Sequence, residues 1–82
     1  MRNKVLVELI VPEIDQRFNV YLPINKKIGN IIMLLNQAIT EISPQHTRID
    51  NSLYNRDTGT KYNIDVTLYY TDIRNGTPLI LI

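Results

Sequence analysis

Cysteine is absent from this sequence of 82 residues, and histidine occurs only once. The absence of cysteine excludes disulfide bonds, thiolate nucleophiles and metal sites with sulfur ligands. It suits a protein of a reducing compartment. The single histidine, His46, lies in a polar segment beside Pro44. We expect a surface side chain there rather than the base of a hydrolytic triad.

The chain also lacks an excess of positive or negative charge, and it has no long apolar run. The net charge is +1, with both signs scattered along the chain, which gives no electrostatic reason to expect nucleic acid or an anionic membrane. No segment approaches the ~20 apolar residues of a membrane span. Glu8 interrupts the short apolar run near the N-terminus, and no small-residue cleavage site follows it. We therefore expect a cytoplasmic protein that does not insert into a membrane.

The residues that usually carry catalysis or ligand binding are too few or too scattered here. Asp57-Thr58-Gly59 and Asn75-Gly76 lack the spacing of a phosphate-binding loop and are interpreted as turns. Glu13 and Asp15 are expected to be two solvated carboxylates in a turn. The remaining acidic residues are too dispersed for a calcium loop. The sequence predicts no catalytic residues, no metal site and no cofactor, and hence no enzyme.

Six basic residues leave two interpretations open. They could gather into one basic patch, or they could be solvated singly, with two of them at a helix end. The residues are Arg2, Lys4, Lys26, Lys27, Arg48 and Arg74. The low net charge and the lack of interleaved aromatic residues favour the second interpretation.

The first part of the chain has the pattern of two strands. Val5 to Val11 is rich in β-branched residues with Glu8 as the only charge, which indicates a strand largely buried on both faces. After a break at residues 12–15, Phe18, Val20 and Leu22 alternate with Arg17, Asn19 and Tyr21. This alternation predicts a half-buried strand, and the short connection predicts an antiparallel hairpin that Pro23 ends.

A change of period then predicts one helix from Ile28 to Ile42, with Asn25 as a candidate N-cap and Ser43-Pro44 as its end. Gly29 is an unexpected residue so early in a helix. The apolar stripe is expected to consist of Ile28, Ile31, Ile32, Leu35, Ala38, Ile39 and Ile42.

The last part of the chain predicts three further strands. Residues 52–55 and 60–62 are expected to be short strands around the turn at residues 57–59, and residues 79–82 form an apolar strand entered through Asn75-Gly76-Thr77-Pro78. Residues 63–74 are predicted to be a long connection with one helical turn. Its anchors are expected to be Ile64, Val66, Leu68, Tyr69 and Ile73, with Tyr70 as the ring that holds the connection to the core.

The first and last strands are the most apolar, so they are expected to lie side by side in the centre of one sheet. A parallel pairing needs a crossover, which the helix supplies. We therefore predict an α+β fold of the β-grasp type, as a single domain over residues 1–82. Its mixed sheet has the order 2-1-5-3-4, and the helix packs across one face.

The sequence resembles the ubiquitin superfamily from Val5 to Ile82. "FNVYLP" followed by "INKKIGNIIMLLNQAI" is similar to that fold's second strand and helix entry, and "SLYNRDTGT" to its third strand and turn. The end, "TDIRNGTPLILI", most resembles the bacterial YukD/EsaB family. That resemblance implies an accessory component of type VII secretion in a Gram-positive bacterium, with protein partners that include membrane-associated secretion components.

Covalent modifiers and sulfur carriers of this superfamily present a mobile tail that ends in Gly-Gly, because side chains would clash in the enzyme channel. Here the last residues are Leu79-Ile80-Leu81-Ile82, and the nearest glycine is Gly76. Unless the native chain extends further, we expect neither conjugation nor sulfur transfer.

The candidate binding residues are the apolar residues that the core does not need. If Leu79 and Leu81 face the helix, Ile80 and Ile82 face outward; Glu8 likewise assigns Leu6 and Ile10 to the outer face. These four residues, extended by Tyr54, form the predicted partner-binding patch. The alternative is that strands tolerate apolar residues outside because of β-propensity. Homodimerisation through this face would look the same in sequence.

A second candidate surface is the helix flank at Met33 and Leu34. The alternative interpretation is that these two residues pack at the periphery of the core. The leading hypothesis is a non-catalytic, non-conjugated interaction module. A modifier or sulfur carrier, and a small regulatory or nucleic-acid-binding protein, are the competing classes.

Overall fold

The chain begins with an antiparallel β-hairpin, as predicted. In the computed structural model, which describes residues 3–46 and 50–82, β1 spans Lys4–Val11 and β2 spans Gln16–Pro23. The two strands pair without interruption from Lys4↔Pro23 to Val11↔Gln16. A 3-10 turn at Pro12–Ile14 and the positive φ of Asp15 (51°) reverse the chain between them, and Asp tolerates this left-handed conformation. Only one face of β1 is fully buried, so the prediction of burial on both faces was wrong.

The helix α1 spans Ile28–Ile42, the bounds that the sequence predicted. Asn25 does not cap it: the N-cap residue is Lys27, which makes no side-chain capping bond. The first N–H groups are instead satisfied by the long connection, because Ile28 N donates to Val66 O and Gly29 N donates to Ile64 O, both at 2.9 Å. A Cβ on residue 29 would lie 3.2 Å from Ile64 O. This close approach explains the glycine.

The buried face of α1 is narrower than the predicted stripe. Ala38 is exposed and Ile42 is 64% exposed, because Ala38 lies at the edge of the stripe and Ile42 in the last turn, beyond the core. Five helix residues are buried, namely Ile28, Ile31, Ile32, Leu35 and Ile39.

The sheet has the order β2-β1-β4-β3, where β3 is Leu53–Asn55 and β4 is Pro78–Leu81. β4 runs parallel to β1 and antiparallel to β3. A fifth strand at residues 60–62 was predicted but is reduced to one bridge, Tyr54↔Lys61. The reason is that β3 is only three residues long and the side chain of Tyr62 turns into the core. The mixed sheet with one helix across one face is the predicted β-grasp arrangement.

The connection from residue 63 to residue 77 is held by two aliphatic residues, Leu68 and Ile73, both fully buried. Leu68 begins the predicted helical turn, a 3-10 turn at Leu68–Tyr70. Tyr70 was predicted to be the anchor but is 79% exposed, and Tyr69 and Ile64 are also exposed. In a 3-10 turn side chains three apart share a face, so with Leu68 inside its two neighbours point outward.

Tyr62 joins the connection to β3 and thereby fixes the strand that carries Tyr54. Its hydroxyl donates to Asp72 Oδ1 at 2.7 Å and accepts from Asn55 Nδ2 at 3.1 Å. Asn55 Oδ1 in turn accepts from the backbone N–H of Asp57 at 2.9 Å, which shapes the turn after β3. Burial, with the bond to Asp72 as a second cause, raises the pKa of Tyr62 to about 12.

The raised pKa predicts a loss of stability in alkali that depends on this one hydroxyl. The folded state holds the proton of the Tyr62 hydroxyl more tightly than the unfolded state does. The hydroxyl's contribution to the free energy of unfolding is therefore complete below pH 10 and is lost as pH rises towards about 12. We expect Tyr62→Phe to cost about 1–3 kcal/mol at neutral pH, since it leaves the buried Asn55 amide without its acceptor. Above pH 10 the difference in the free energy of unfolding between Tyr62→Phe and the wild type should shrink.

Urea denaturation from neutral pH to about pH 11.5 measures this gap. Tyr70→Phe is the matched control, because that ring is exposed and its variant should follow the wild type throughout. A gap that stays constant with pH would contradict the assignment.

Candidate protein-interaction surface

The side of the sheet opposite α1, called the outer face here, carries a row of three apolar side chains across neighbouring strands. Ile10 lies opposite Ile80, and Ile80 lies opposite Tyr54. All three are half-buried, whereas Leu9, Leu79 and Leu53, which point to the other side, are fully buried. The predicted inward and outward assignment of β1 and β4 is therefore confirmed.

Ile82 extends this row at the end of β4. It is 43% exposed, and its backbone exchanges hydrogen bonds with Ser52, from Ser52 N to Ile82 O (2.6 Å) and from Ile82 N to Ser52 O (3.0 Å). These bonds continue the β3–β4 ladder by one residue, so the position of Ile82 is fixed by backbone pairing. The structure thus brings Ile10, Tyr54, Ile80 and Ile82 together.

Leu6 lies on the same face but is separated from this row. Glu8 stands between Leu6 and Ile10 on β1, and its carboxylate is 3.4 Å from the guanidinium of Arg56. Both members of this pair are partly exposed, and such a pair contributes little to stability. It does place charge between Leu6 and the row, so the five predicted residues do not form one unbroken apolar patch.

Leu6 instead lines an open groove of ≈ 680 Å³. Its walls include Tyr21, which lies opposite Leu6 on β2, together with Glu8, Arg56 and Gly76. Asn75 and Gly76 also line it, where Gly76 N donates to Leu6 O at 2.8 Å and Asn75 Oδ1 accepts from Leu6 N at 2.8 Å. Tyr21 is 54% exposed and was not predicted as a binding residue. Its place in the alternation of β2 was the signal that could have found it.

The second predicted surface, on the helix flank, is also exposed. Met33 is 61% exposed and Leu34 is 50% exposed, so neither residue is peripheral core. With Lys26, Asn30 and Gln37 they line a shallow depression of ≈ 310 Å³. It lies on the helix side of the molecule, and the outer face lies on the other.

His46 was predicted to be a surface residue, but it is only 4% exposed. Its Nδ1 contacts a carboxylate oxygen of Glu13, and its Nε2 donates to Asn36 Oδ1 at 2.7 Å. Asn36 also exchanges two amide hydrogen bonds with the buried Asn51, at 2.7 and 2.8 Å. This cluster, the His46 cluster, joins the hairpin turn, α1 and the segment before β3, so Glu13 is not simply solvated as predicted.

Three of the six basic residues named above can be described as follows. Arg2 and Arg48 lie outside the described residues. Arg74 donates to its own segment, to Thr71 O and Ile73 O, both at 2.7 Å. Within residues 3–46 and 50–82, no three His, Asp or Glu side chains are grouped so as to hold a metal ion. The one long helix in that part of the chain is too short to cross a bilayer.

Many solved structures resemble this chain over nearly its whole length, and three of them come from type VII secretion systems or an inner membrane complex. The ubiquitin-like domain of the Mycobacterium tuberculosis type VII secretion protein EccD1 has a TM-score of 0.74 at 11% identity, over 96% of this chain and 97% of that one. The EccD5 ubiquitin-like domain of Mycobacterium xenopi has 0.70 at 17% identity, over 96% and 92%.

The third is a chain of the MycP5-free ESX-5 inner membrane complex in State II, with a TM-score of 0.72 at 17% identity over 98% of this chain. The match covers 21% of that chain, so the present sequence spans about a fifth of its length. No protein-family model and no curated protein matches the sequence. At these identities the likeness establishes the architecture: the chain has the ubiquitin-like β-grasp fold.

Proposed function

We propose that the chain, as a single domain over residues 1–82, is a ubiquitin-like module that holds another protein non-covalently through its outer face. The observation that carries the proposal is the row Ile10–Ile80–Tyr54, with Ile82 at its end. Ile10 and Ile80 stand on the two central strands and Tyr54 on the edge strand β3, all on the side that α1 does not cover. Removal of this apolar area from water is the favourable term that would hold a partner there.

The polar surroundings of the row suit a specific contact. Glu8 and Arg56 flank it on one side, and Lys61 lies opposite Tyr54. An interface with an apolar centre and a charged rim takes its affinity from the centre, while the rim discriminates among partners. Leu6 and Tyr21, in the groove beyond Glu8, extend the contact area for a partner that crosses the ion pair.

The partner that we propose is a component of a type VII secretion system in a Gram-positive bacterium, on the cytoplasmic side of the membrane. The support is that the similar domains come from proteins of such systems and from an inner membrane complex. The YukD/EsaB resemblance of the final strand points in the same direction. The module acts as an accessory part without catalysis and without conjugation.

Capture of the N-terminally tagged protein from its native cells tests this function, with separate elution in native and denaturing buffers. We expect secretion-system subunits that co-elute in native buffer and separate from the bait under denaturation. Adducts of the bait with increased mass that survive denaturation would mean covalent conjugation and would overturn the proposal. An empty native eluate, from cells in which the secretion system is expressed, would also count against it.

A further inference from the structure

The two edges of the sheet are very different. β3 is three residues long, and the edge of β3 that faces away from β4 forms a bridge with Lys61. β2 is eight residues long, pairs with β1 without a bulge, and forms the other edge. Proteins usually protect such an edge with charges, bulges or proline. Within Gln16–Pro23 the only charge is Arg17, and the only proline is the last residue.

The hydrogen bonds of the hairpin show which backbone groups of β2 face outward. Ile24 N donates to Asn3 O at 2.9 Å, one step beyond the Lys4↔Pro23 pair. Because hydrogen-bonded pairs alternate in an antiparallel ladder, the even-numbered residues of β2 bond to β1. The N–H groups of Arg17, Asn19 and Tyr21 therefore point away from the sheet.

This pattern is self-complementary. If β2 of a second copy lies antiparallel with Asn19 on the two-fold axis, Asn19 pairs with Asn19 and Arg17 pairs with Tyr21 of the second copy. The free N–H groups of both copies then all meet carbonyl groups. A register centred on Val20 would place Arg17 opposite Pro23, which has no N–H. A register centred on Phe18 would require Asp15 N, which already donates to Pro12 O at 3.1 Å.

We propose that the free edge of β2 is a homodimerisation site, at which two copies pair antiparallel about Asn19 into one continuous sheet. Side chains favour the same register on both faces. On the helix side, the half-buried Phe18 lies opposite Val20 of the second copy, an aromatic and β-branched pair that stabilises sheets. On the outer face, Arg17 lies opposite the exposed ring of Tyr21 of the second copy.

The charge pattern of β2 also fits a second copy of the chain as the binding partner. The two copies of Arg17 do not face each other, because each is opposite a tyrosine of the other copy. Asn19, the residue on the axis, can form side-chain amide hydrogen bonds to its own copy. The pairing places the grooves that Leu6 and Tyr21 line next to each other across the axis. This site shares Tyr21 with the extended contact area but no residue with the row Ile10–Ile80–Tyr54, so either proposal can fail without the other.

Disulfide trapping tests the register directly, since the chain has no native cysteine. Hydrogen-bonded antiparallel pairs have Cα atoms about 5.5 Å apart, within the range that a disulfide spans. We expect Asn19→Cys to form a linked dimer under mild oxidation. Arg17→Cys alone should not, because its two copies would be about 13 Å apart along the strands. Arg17→Cys mixed with Tyr21→Cys should link.

Equal linking by Asn19→Cys and by Arg17→Cys would indicate random collision and overturn the proposal. So would a wild-type protein that remains monomeric in sedimentation equilibrium up to about 1 mM, with no excess linking by Asn19→Cys. Protection of the Arg17, Asn19 and Tyr21 amides that appears only on adding another protein would assign the edge to a partner's strand instead.

Asn19→Lys provides a second measurement that does not rely on cysteine chemistry. Within one copy the new ammonium faces Glu8, its cross-strand neighbour, so we expect the fold to be preserved. Across the axis two ammonium groups meet. We expect the dissociation constant of the dimer to rise at least tenfold, with a greater effect at low salt than at high salt. An unchanged constant would contradict pairing about residue 19.

Discussion

Replacing His46 by alanine is expected to lower the free energy of unfolding by about 2–3 kcal/mol, on the order of 10–20 °C in the melting temperature. The imidazole is almost fully buried between Glu13 and Asn36, and both ring nitrogens have partners. The substitution removes a charge-assisted contact and leaves a cavity among polar groups. The Glu13 side chain is 31% exposed and can be rehydrated, which limits the loss.

Urea denaturation of His46→Ala beside Gln45→Ala measures this effect, because Gln45 is its exposed neighbour in the same segment. The control should stay within about 0.5 kcal/mol of the wild type, as surface substitutions usually do. The cycle formed by His46→Ala, Asn36→Ala and the double variant should show a coupling of about 0.5–3 kcal/mol, since the two residues share a hydrogen-bond network. Equal stabilities of His46→Ala and Gln45→Ala would show that the His46 cluster contributes nothing.

The His46 cluster also shows where prediction from this sequence fails. Its members are separated by 33, 10 and 15 residues along the chain. No local pattern connects Glu13 in a turn to Asn36 on a helix. A polar residue in a polar segment predicts exposure, and only the packing of three elements overrides that prediction. The same reason explains the helix start, where carbonyl groups of a distant connection replace the expected Asn25 cap.

The elements with a strong local period were predicted well. The alternation in β2 and the 3.6-residue period of α1 give their own bounds, since one face of each must be buried. The adjacency of the first and last strands followed from their apolar residues, and the β-grasp fold followed from that adjacency together with the helical crossover. Short elements were predicted unevenly: β3 forms as expected and residues 60–62 do not form a strand, because a three-residue run has too few positions to show a period. Only tertiary contacts decide whether such a run becomes a strand.

Local sequence pattern and tertiary contacts together determine the candidate surface. Glu8 marked the outward side of β1 in the sequence, and that assignment placed Ile10 on the outer face; the alternation of β4 placed Ile80 there. The same residue, through its ion pair with Arg56, separates Leu6 from the row. Arg56 lies 48 positions away from Glu8, so this division could not be predicted from spacing. The orientation of residues was predictable, but the continuity of the patch was not.

Replacing Ile80 by aspartate is expected to weaken partner binding on the order of 100-fold, which corresponds to about 2.7 kcal/mol. Ile80 is at the centre of the row, between Ile10 and Tyr54. Central apolar residues of an interface are the ones whose loss costs most. A carboxylate there must also be desolvated beneath the partner without a counter-charge, which adds to the loss.

The matched control is Met33→Asp, which introduces the same charge on the exposed helix flank. If the outer face is the binding surface, Met33→Asp binds normally and Ile80→Asp does not. The reverse result would assign binding to the Met33 and Leu34 surface. Because Ile80 is half-buried in a strand, Ile80→Thr serves as a β-branched variant with a smaller cost in folding. Native-like circular dichroism together with undiminished binding in both Ile80 variants would rule out the outer face, because the row cannot lose its central side chain and still supply the affinity.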